Sequence, residues 1–162
     1  MIQMLSHLTI RTRVLLAALL PTLGLLWFAG DAVLEKRQFV DKLMAVEKLA
    51  SASDEIGALV HELQKERGMT GVFVGSGGTK FAAELTEQRR AVDTARTTLA
   101  GALADLDLKG YGTTLTTKLD AAKAAVDKLA ATRQTVDALT IDANSATGTF
   151  TLTIARLLDI VP

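Results

Sequence analysis

The sequence predicts an all-α protein, in which long antiparallel helical hairpins form a four-helix bundle after one N-terminal transmembrane helix. Three observations support this class. Proline occurs only at Pro21 and Pro162 in the 162 residues, so long helices can run without interruption. Apolar residues recur at helical spacing through most of the chain. No stretch alternates with the period of two that is typical of a half-buried strand.

An uncharged apolar stretch at residues 14–30 predicts a transmembrane helix over residues 14–34. Residues 1–13 contain two arginines and no acidic residue, and Trp27 lies near the far end of the stretch. Basic residues before an apolar span favour a cytoplasmic N-terminus, and tryptophan is common at membrane interfaces. A cleaved signal peptide is the alternative, because it shares the basic start and the apolar middle. Both interpretations export the chain from about residue 35. The preferred one, an uncleaved anchor, predicts a single-pass inner-membrane protein with a periplasmic bundle.

The first helix of the predicted bundle, from about Asp31 to Val74, has two rows of inward-facing positions. One row repeats every seven residues and contains Leu49, Ile56, Leu63 and Thr70. The other row contains Val46, Ser53, Val60, Arg67 and Val74. The sequence Gly-Ser-Gly-Gly follows at residues 75–78, where residues without a Cβ permit a tight reversal. The helix is therefore expected to end there.

The remaining helices follow the same apolar pattern. Thr79 is expected to cap the second helix, which should end at Gly110, Tyr111 and Gly112. A third helix is expected from about Thr113 to Leu139. After a polar segment, a fourth helix has an apolar face made of Phe150, Ile154, Leu157, Leu158 and Val161. Because the chain stops while this face is still apolar, the bundle of residues 35–162 is expected to be truncated at its C-terminal end.

Two arginines stand at positions where hydrophobic residues are expected. Arg67 lies in an inward-facing row of the first helix, and Arg133 lies in the corresponding row of the third. A guanidinium stays protonated at ordinary pH and is costly to bury without a negative partner. Arginines from two helices therefore predict a site for a small planar anion, which forked N–H donors bind well. The alternative is internal salt bridges, with Glu66, Asp137 or Asp142 as candidate carboxylates.

Three further residues are candidates for the same ligand-binding site. Gln64 and Thr70 lie about one helical turn from Arg67, so both could donate hydrogen bonds to an anion. Arg89 belongs to the second helix, which the glycine-rich turn brings beside the first. An anion would relieve the repulsion between the arginines and shift how the helices pack, as expected of a sensor.

Composition argues against several other classes. Cysteine is absent and the two histidines, His7 and His61, are far apart, so neither a metal site nor a cofactor is expected. Eighteen basic residues balance eighteen acidic ones, and this balance predicts no nucleic-acid partner. No nucleophile, histidine and acid form a recognisable set, so an enzyme is not expected.

Residues 59–71 read LVHELQKERGMTG, and the glycine-rich turn and the segment FAAEL at residues 81–85 follow. These segments resemble the nitrate- and nitrite-sensing domain family, and the similarity extends over most of residues 45–162. The resemblance implies an all-helical domain whose arginines bind nitrate or nitrite. It assigns this role to Arg67 and, in a less similar segment, to Arg133. Phe150 stands where members frequently have tyrosine, and the family's domain is considerably longer than this one.

A membrane helix followed by such a sensor is similar to the front of a methyl-accepting chemotaxis receptor. The sequence therefore predicts the extracytoplasmic ligand-sensing region of a bacterial membrane receptor, of the chemotaxis receptor or sensor kinase type. It would pass a change in helix packing to separate signalling modules. The expected partners are nitrate or nitrite, membrane lipid through residues 14–34 and a second copy in a homodimer. The alternative is a membrane-anchored structural bundle that mediates self-association, with its arginines in internal salt bridges.

Overall fold

A computed structural model describes residues 10–106 and 112–161 of the chain. Within these ranges every regular element is a helix, which confirms the predicted all-α class. The helices are α1 (Ile10–Gly75), α2 (Ala82–Ala104), α3 (Gly112–Asp127), α4 (Leu129–Asp137) and α5 (Ala143–Leu158). The expected turn at Gly110 and Tyr111 lies outside the described residues, as does most of the predicted N-terminal segment 1–13.

The chain divides into two compact units, Met1–Ala45 and Val46–Pro162. The described residues of the first unit all belong to α1, and the large apolar side chains that the structure describes there, including Trp27 and Phe28, are exposed. This part of α1 contains an 18-residue window of mean hydropathy 1.6, which is long and apolar enough to cross a membrane. A signal sequence and the core helix of a soluble protein meet the same criterion, so the transmembrane helix over residues 14–34 stays a prediction.

The core of the second unit takes side chains from all five helices. Its main cluster includes Leu59 from α1, Leu99 from α2, Val126 from α3, Leu129 from α4 and Phe150 from α5. A smaller cluster joins Leu85, Val136 and Ala146, and partly buried apolar side chains near the end of α1 pack against it. Apolar burial of this kind supplies the main driving force that holds the helices together.

One predicted row of α1 is buried as expected, at Ile56, Leu63 and Thr70, whereas the other row is displaced by one residue. The fully buried side chains follow alternating steps of four and three residues, through Ala52, Ile56, Leu59, Leu63, Glu66 and Thr70. Glu66 therefore occupies the core position that the sequence assigned to Arg67, which lies at the edge of the face and is partly exposed. Leu59 and Val60 are both apolar and both buried, so apolar spacing alone does not distinguish the two rows.

The predicted end of α1 is close to the observed one at Gly75. The N–H of Gly77 donates to the carbonyl of Val74 at 3.0 Å, and the N–H of Gly78 donates to the carbonyl of Phe73 at 2.9 Å. These two bonds form a Schellman motif, which requires a left-handed residue, and Gly77 supplies it with φ 64°. Glycine adopts this conformation without the steric cost that a Cβ imposes.

The starts of the later helices differ from those predicted. Thr79 does not cap α2, because its hydroxyl donates to the carbonyl of Ser76 at 2.9 Å. The N-cap of α2 is instead Phe81, whose side chain makes no cap bond. The single helix expected over residues 113–139 is interrupted at Lys128. There the Thr132 hydroxyl bonds back to the Lys128 carbonyl at 3.2 Å, a contact that commonly bends helices.

Candidate anion site and buried ionic network

Adjacent residues of α1 direct opposite charges toward different helices. Neighbouring side chains of an α-helix point about 100° apart around its axis, since about 3.6 residues complete a turn. Glu66 contacts Arg89 of α2 and Arg133 of α4, whereas Arg67 contacts Thr151 of α5. This turn of α1 therefore links a buried ionic network to a separate cationic group.

Arg67 is a partly exposed guanidinium that faces a hydroxyl rather than a carboxylate. Its Nη1 donates to the Oγ1 atom of Thr151 at 3.3 Å. The Thr151 hydroxyl in turn donates to the carbonyl of Thr147 at 2.9 Å, so it meets Arg67 as an acceptor. Within the described part of the chain, no carboxylate lies within ion-pair distance of Arg67. The positive charge of Arg67 is therefore uncompensated locally.

The backbone of α1 comes close to α5 one turn beyond Arg67. A Cβ placed on Gly71 would lie 3.2 Å from the Cγ2 atom of Thr147, which is tighter than an ordinary van der Waals contact. Only glycine fits here without displacing its neighbour. The backbone carbonyl of the same Thr147 accepts the hydrogen bond from the Thr151 hydroxyl that faces Arg67.

Arg133 is fully paired, which is the salt-bridge alternative that the sequence left open. Its Nε and Nη2 atoms donate to the two carboxylate oxygens of Glu66, each at 2.7 Å. Its Nη1 donates to Asp93 at 2.7 Å. Burial alone would lower the pKa of Arg133, but the hydrogen bonds to Glu66 and Asp93 outweigh it and raise the pKa above its ordinary value. Glu66 is 0% exposed, so this forked pair neutralises a fully buried carboxylate.

Arg89 is paired on one side only. Its Nη1 donates to both carboxylate oxygens of Asp137, at 2.8 and 3.0 Å. Its Nε lies 3.6 Å from the Oε1 atom of Glu66, too far for a hydrogen bond. The Nε and Nη2 atoms of Arg89 are buried and have no hydrogen-bond partner within the described residues. One edge of this guanidinium is therefore unsatisfied.

The balance of charges shows which arginine can accept an anion. The network formed by Glu66, Asp93, Asp137, Arg89 and Arg133 has three carboxylates and two guanidiniums, an excess of one negative charge. Two like charges about 4 Å apart repel by about 4 kcal/mol at an effective dielectric constant of about 20. The free edge of Arg89 already faces the Glu66 carboxylate, with Nε 3.6 Å from Oε1, so an anion there would join a network that has an excess negative charge. Arg67 therefore offers the more favourable position.

The other predicted site residues fall on both sides of Arg67. Gln64 is exposed, whereas Thr70 is 1% exposed and its hydroxyl has no hydrogen-bond partner within the described residues. Asp142, a candidate salt-bridge partner, instead caps α5 and accepts from the backbone N–H groups of Asn144 and Ser145. The structure thus groups Arg67, Gln64 and Thr70 on α1 and assigns Arg89 and Arg133 to the network.

Sequence reasoning missed the roles of Thr151 and Gln88. Gln88 is buried and donates to both the carbonyl and the carboxylate of Glu62, at 3.0 and 2.6 Å. A polar residue in the apolar stripe of α2 is the only signal for Gln88, and spacing gives no signal for Thr151. Their partners lie 26 and 84 residues away along the chain, so the pairings depend on the tertiary fold.

These features define an all-helical domain with an uncompensated arginine beside a helix–helix contact, as expected of an anion sensor. The family described as nitrate and nitrite sensing matches residues 58–162. The chain belongs to this NIT family, which confirms the resemblance deduced from the Glu-Arg-Gly segment.

Two relatives carry names that describe regulation. The chain is 35% identical over 136 residues to a nitrate regulatory protein of Klebsiella oxytoca, a match that covers 84% of this chain and 33% of that protein. The solved structure of the NasR transcription antiterminator superimposes with a TM-score of 0.72 at 34% identity. That match covers 86% of this chain and 36% of NasR. The chain therefore spans about one third of the length of these relatives.

The relatives correct two predictions. The prediction of an extracytoplasmic membrane-receptor region is wrong, and so is the predicted periplasmic location, because the relatives are a nitrate regulatory protein and a transcription antiterminator. The periplasmic location came from the charges that flank residues 14–34, and the receptor came from the similarity of a membrane helix followed by a sensor to the front of a chemotaxis receptor. Neither feature identifies the protein in which the sensor operates. The prediction that the chain has no nucleic-acid partner rests on the charge balance of its 162 residues. It stays a prediction for this chain alone.

Proposed function

We propose that this chain is the nitrate- or nitrite-binding region of a regulatory protein, in which Arg67 supplies the main contact to the anion. The observation that carries the proposal is that no carboxylate of the described residues pairs with Arg67, whereas Arg89 and Arg133 are each paired with acidic side chains. Membership of the NIT family supports a nitrate or nitrite ligand.

A planar oxyanion suits this position. A guanidinium presents N–H groups in a fixed plane, so two of them can donate to two oxygens of nitrate or nitrite. Charge-assisted bonds of this kind are roughly twice as strong as neutral ones. Gln64 lies on the exposed side of Arg67 and Thr70 on the buried side, so both would border the bound anion. The Thr70 hydroxyl has no other hydrogen-bond partner within the described residues.

The proposed unit binds its ligand without chemical change and requires no cofactor. Its scaffold would be a four-helix bundle in which α1 and α2 form one hairpin and the α3–α4 pair and α5 form the other. An anion between α1 and α5 would add a bridge between the two hairpins. Occupancy would thereby alter helix packing, which is how a binding site can regulate another part of a protein.

Calorimetric titration of the 162-residue chain with sodium nitrate and sodium nitrite tests the proposal, with sodium chloride as a control for ionic strength. Arg67→Ala should weaken binding by about 10-fold to 100-fold, because a hydrogen bond to a charged group contributes about 1.5–3 kcal/mol. Arg67→Lys should lose much of the affinity as well, since lysine lacks the planar fork.

Arg156→Ala provides the matched control for the loss of one positive charge. Arg156 is exposed in the last turn of α5, on the same helix as Thr151. This variant should bind nitrate and nitrite with nearly the affinity of the unmodified chain. If Arg67→Ala and Arg156→Ala bind equally well, the proposed site is wrong.

A further inference from the structure

Two arginines present the same edge toward one buried carboxylate. Arg133 uses its Nε and Nη2 atoms to hold both oxygens of Glu66 at 2.7 Å. The matching Nε and Nη2 edge of Arg89 is buried and has no hydrogen-bond partner within the described residues. Its Nε atom is already 3.6 Å from Glu66 Oε1. A carboxylate has only two oxygens, so Glu66 can form a full forked pair with one of these arginines at a time.

Each arginine also retains a carboxylate of its own. Nη1 of Arg133 donates to Asp93 at 2.7 Å, and Nη1 of Arg89 donates to Asp137 at 2.8 Å. Both of these aspartates are more than half exposed, so they can follow small movements of their partners. Glu66 can therefore leave either arginine without leaving that guanidinium unpaired. The exchange itself needs a movement of about one ångström, since 3.6 Å exceeds a charge-assisted bond by that amount.

We propose that Glu66 is a two-position carboxylate that exchanges between Arg133 on α4 and Arg89 on α2, and that anion binding at Arg67 shifts this exchange. The second clause rests on the proposed function. Glu66 and Arg67 are consecutive residues of α1, so an anion that draws α1 toward α5 also moves Glu66 relative to α2 and α4. Glu66 is thus a positioning residue that couples anion binding at Arg67 to the packing of α2 and α4.

The exchange is tested first without ligand, by denaturant unfolding of Arg89→Lys, Arg133→Lys and the double variant. Lysine keeps the positive charge but lacks the fork, so each variant should fold. If either fork can hold Glu66, each single change shifts the unfolding midpoint only slightly, and the double change shifts it by more than the two shifts together. Additive shifts would overturn the exchange, because they mean that Glu66 depends on Arg133 alone.

Arg96→Lys is the matched control. Arg96 also belongs to α2, but its partner Asp127 is a surface residue on α3, at 2.6 Å. Combined with Arg133→Lys, this change should give additive shifts of the midpoint. A non-additive result for this pair would show that the coupling is general to the unit, which contradicts a specific exchange at Glu66.

Nitrate titration of the two single variants tests the regulatory clause. Each variant restricts Glu66 to the remaining fork, so one should bind nitrate more tightly than the unmodified chain and the other more weakly, each by several-fold. Changes in the same direction, or no change, would overturn the regulatory clause. If the unmodified chain binds neither anion, the proposed function and the regulatory clause both fail, and the unfolding experiment still decides whether Glu66 exchanges.

Discussion

Glu62 illustrates how a single partly buried carboxylate makes stability depend on pH. Hydrogen bonds from Lys65 and Gln88 lower the pKa of Glu62 below its ordinary value of 4.5. A lowered pKa in the folded state means that these bonds stabilise the fold above about pH 4.5 and are lost as the pH falls through the folded value. Glu62→Gln should therefore reduce the loss of stability on acidification, measured by urea unfolding at neutral and acidic pH. A variant that loses as much stability as the unmodified chain contradicts this assignment.

The chemistry of the candidate site could be predicted from residue types, but its precise membership could not. The Glu-Arg-Gly segment indicated that Arg67 is unusual, and Glu66 was among the carboxylates considered for pairing. Apolar spacing could not decide whether Glu66 or Arg67 is buried, because apolar residues precede both at Leu59 and Val60. The deciding contact comes from Arg133, which lies 67 residues further along the chain.

The N-terminus of α5 depends on one side chain. Asp142 has extended backbone geometry, and its carboxylate accepts from the N–H groups of Asn144 and Ser145 at 3.0 and 2.9 Å. Hydrogen bonds from Ser145, and more weakly from Asn144, lower the pKa of Asp142 below 3.8. Asp142→Ala should lower the unfolding midpoint, whereas Asp142→Asn should largely preserve it, because asparagine also caps helices.

The pH dependence of the unfolding midpoint separates the contribution of the Asp142 charge to this cap from other effects. The cap's contribution is present above about pH 3.8 and is lost as the pH falls through the folded pKa of Asp142. The difference in midpoint between Asp142→Asn and the unmodified chain should therefore change at low pH. A constant difference across the titration would show that the charge of Asp142 does not contribute to the cap.

The helices were more predictable than their exact ends. The glycines after α1 made its C-terminus predictable, because the left-handed residue that follows a helix is usually glycine. Phe81 before α2 and Leu139 after α4 adopt the same left-handed region, with φ 63° and 52°, although their side chains disfavour it. Leu139 takes the left-handed position of a Schellman motif, since its N–H donates to the carbonyl of Val136 and the N–H of Thr140 donates to the carbonyl of Thr135, each at 3.0 Å. Local sequence gives no sign of either residue, because neither is a glycine.

The two units of the chain should respond differently to the loss of an aromatic side chain. Phe150 is 0% exposed in the core of the Val46–Pro162 unit, whereas Phe39 of the other unit is 63% exposed. Phe150→Ala should lower the free energy of unfolding by about 3–5 kcal/mol, because it removes apolar burial and leaves a cavity. Phe39→Ala should change it by no more than about 0.5 kcal/mol. Denaturant unfolding followed by circular dichroism measures both, and equal losses would contradict this contrast.

The all-α class could be predicted from periodicity and the family from one motif. The kind of protein in which the sensing domain operates could not be predicted from either. The apolar residues 14–34 gave a clear pattern, but composition cannot say what a sensor regulates. The names of two relatives corrected the predicted membrane-receptor setting, and the matched regions are 33% and 36% of the lengths of those relatives.

Gly71 has no Cβ, and this lets the backbone of α1 approach Thr147 of α5 closely. A methyl group at that position would press on Thr147 at 3.2 Å and move that residue by a few tenths of an ångström. Thr147 also accepts, through its backbone carbonyl, the hydrogen bond from the Thr151 hydroxyl that faces Arg67. Gly71→Ala is therefore expected to change the affinity of the proposed site for nitrate without removing a charge, which titration of this variant with sodium nitrate measures.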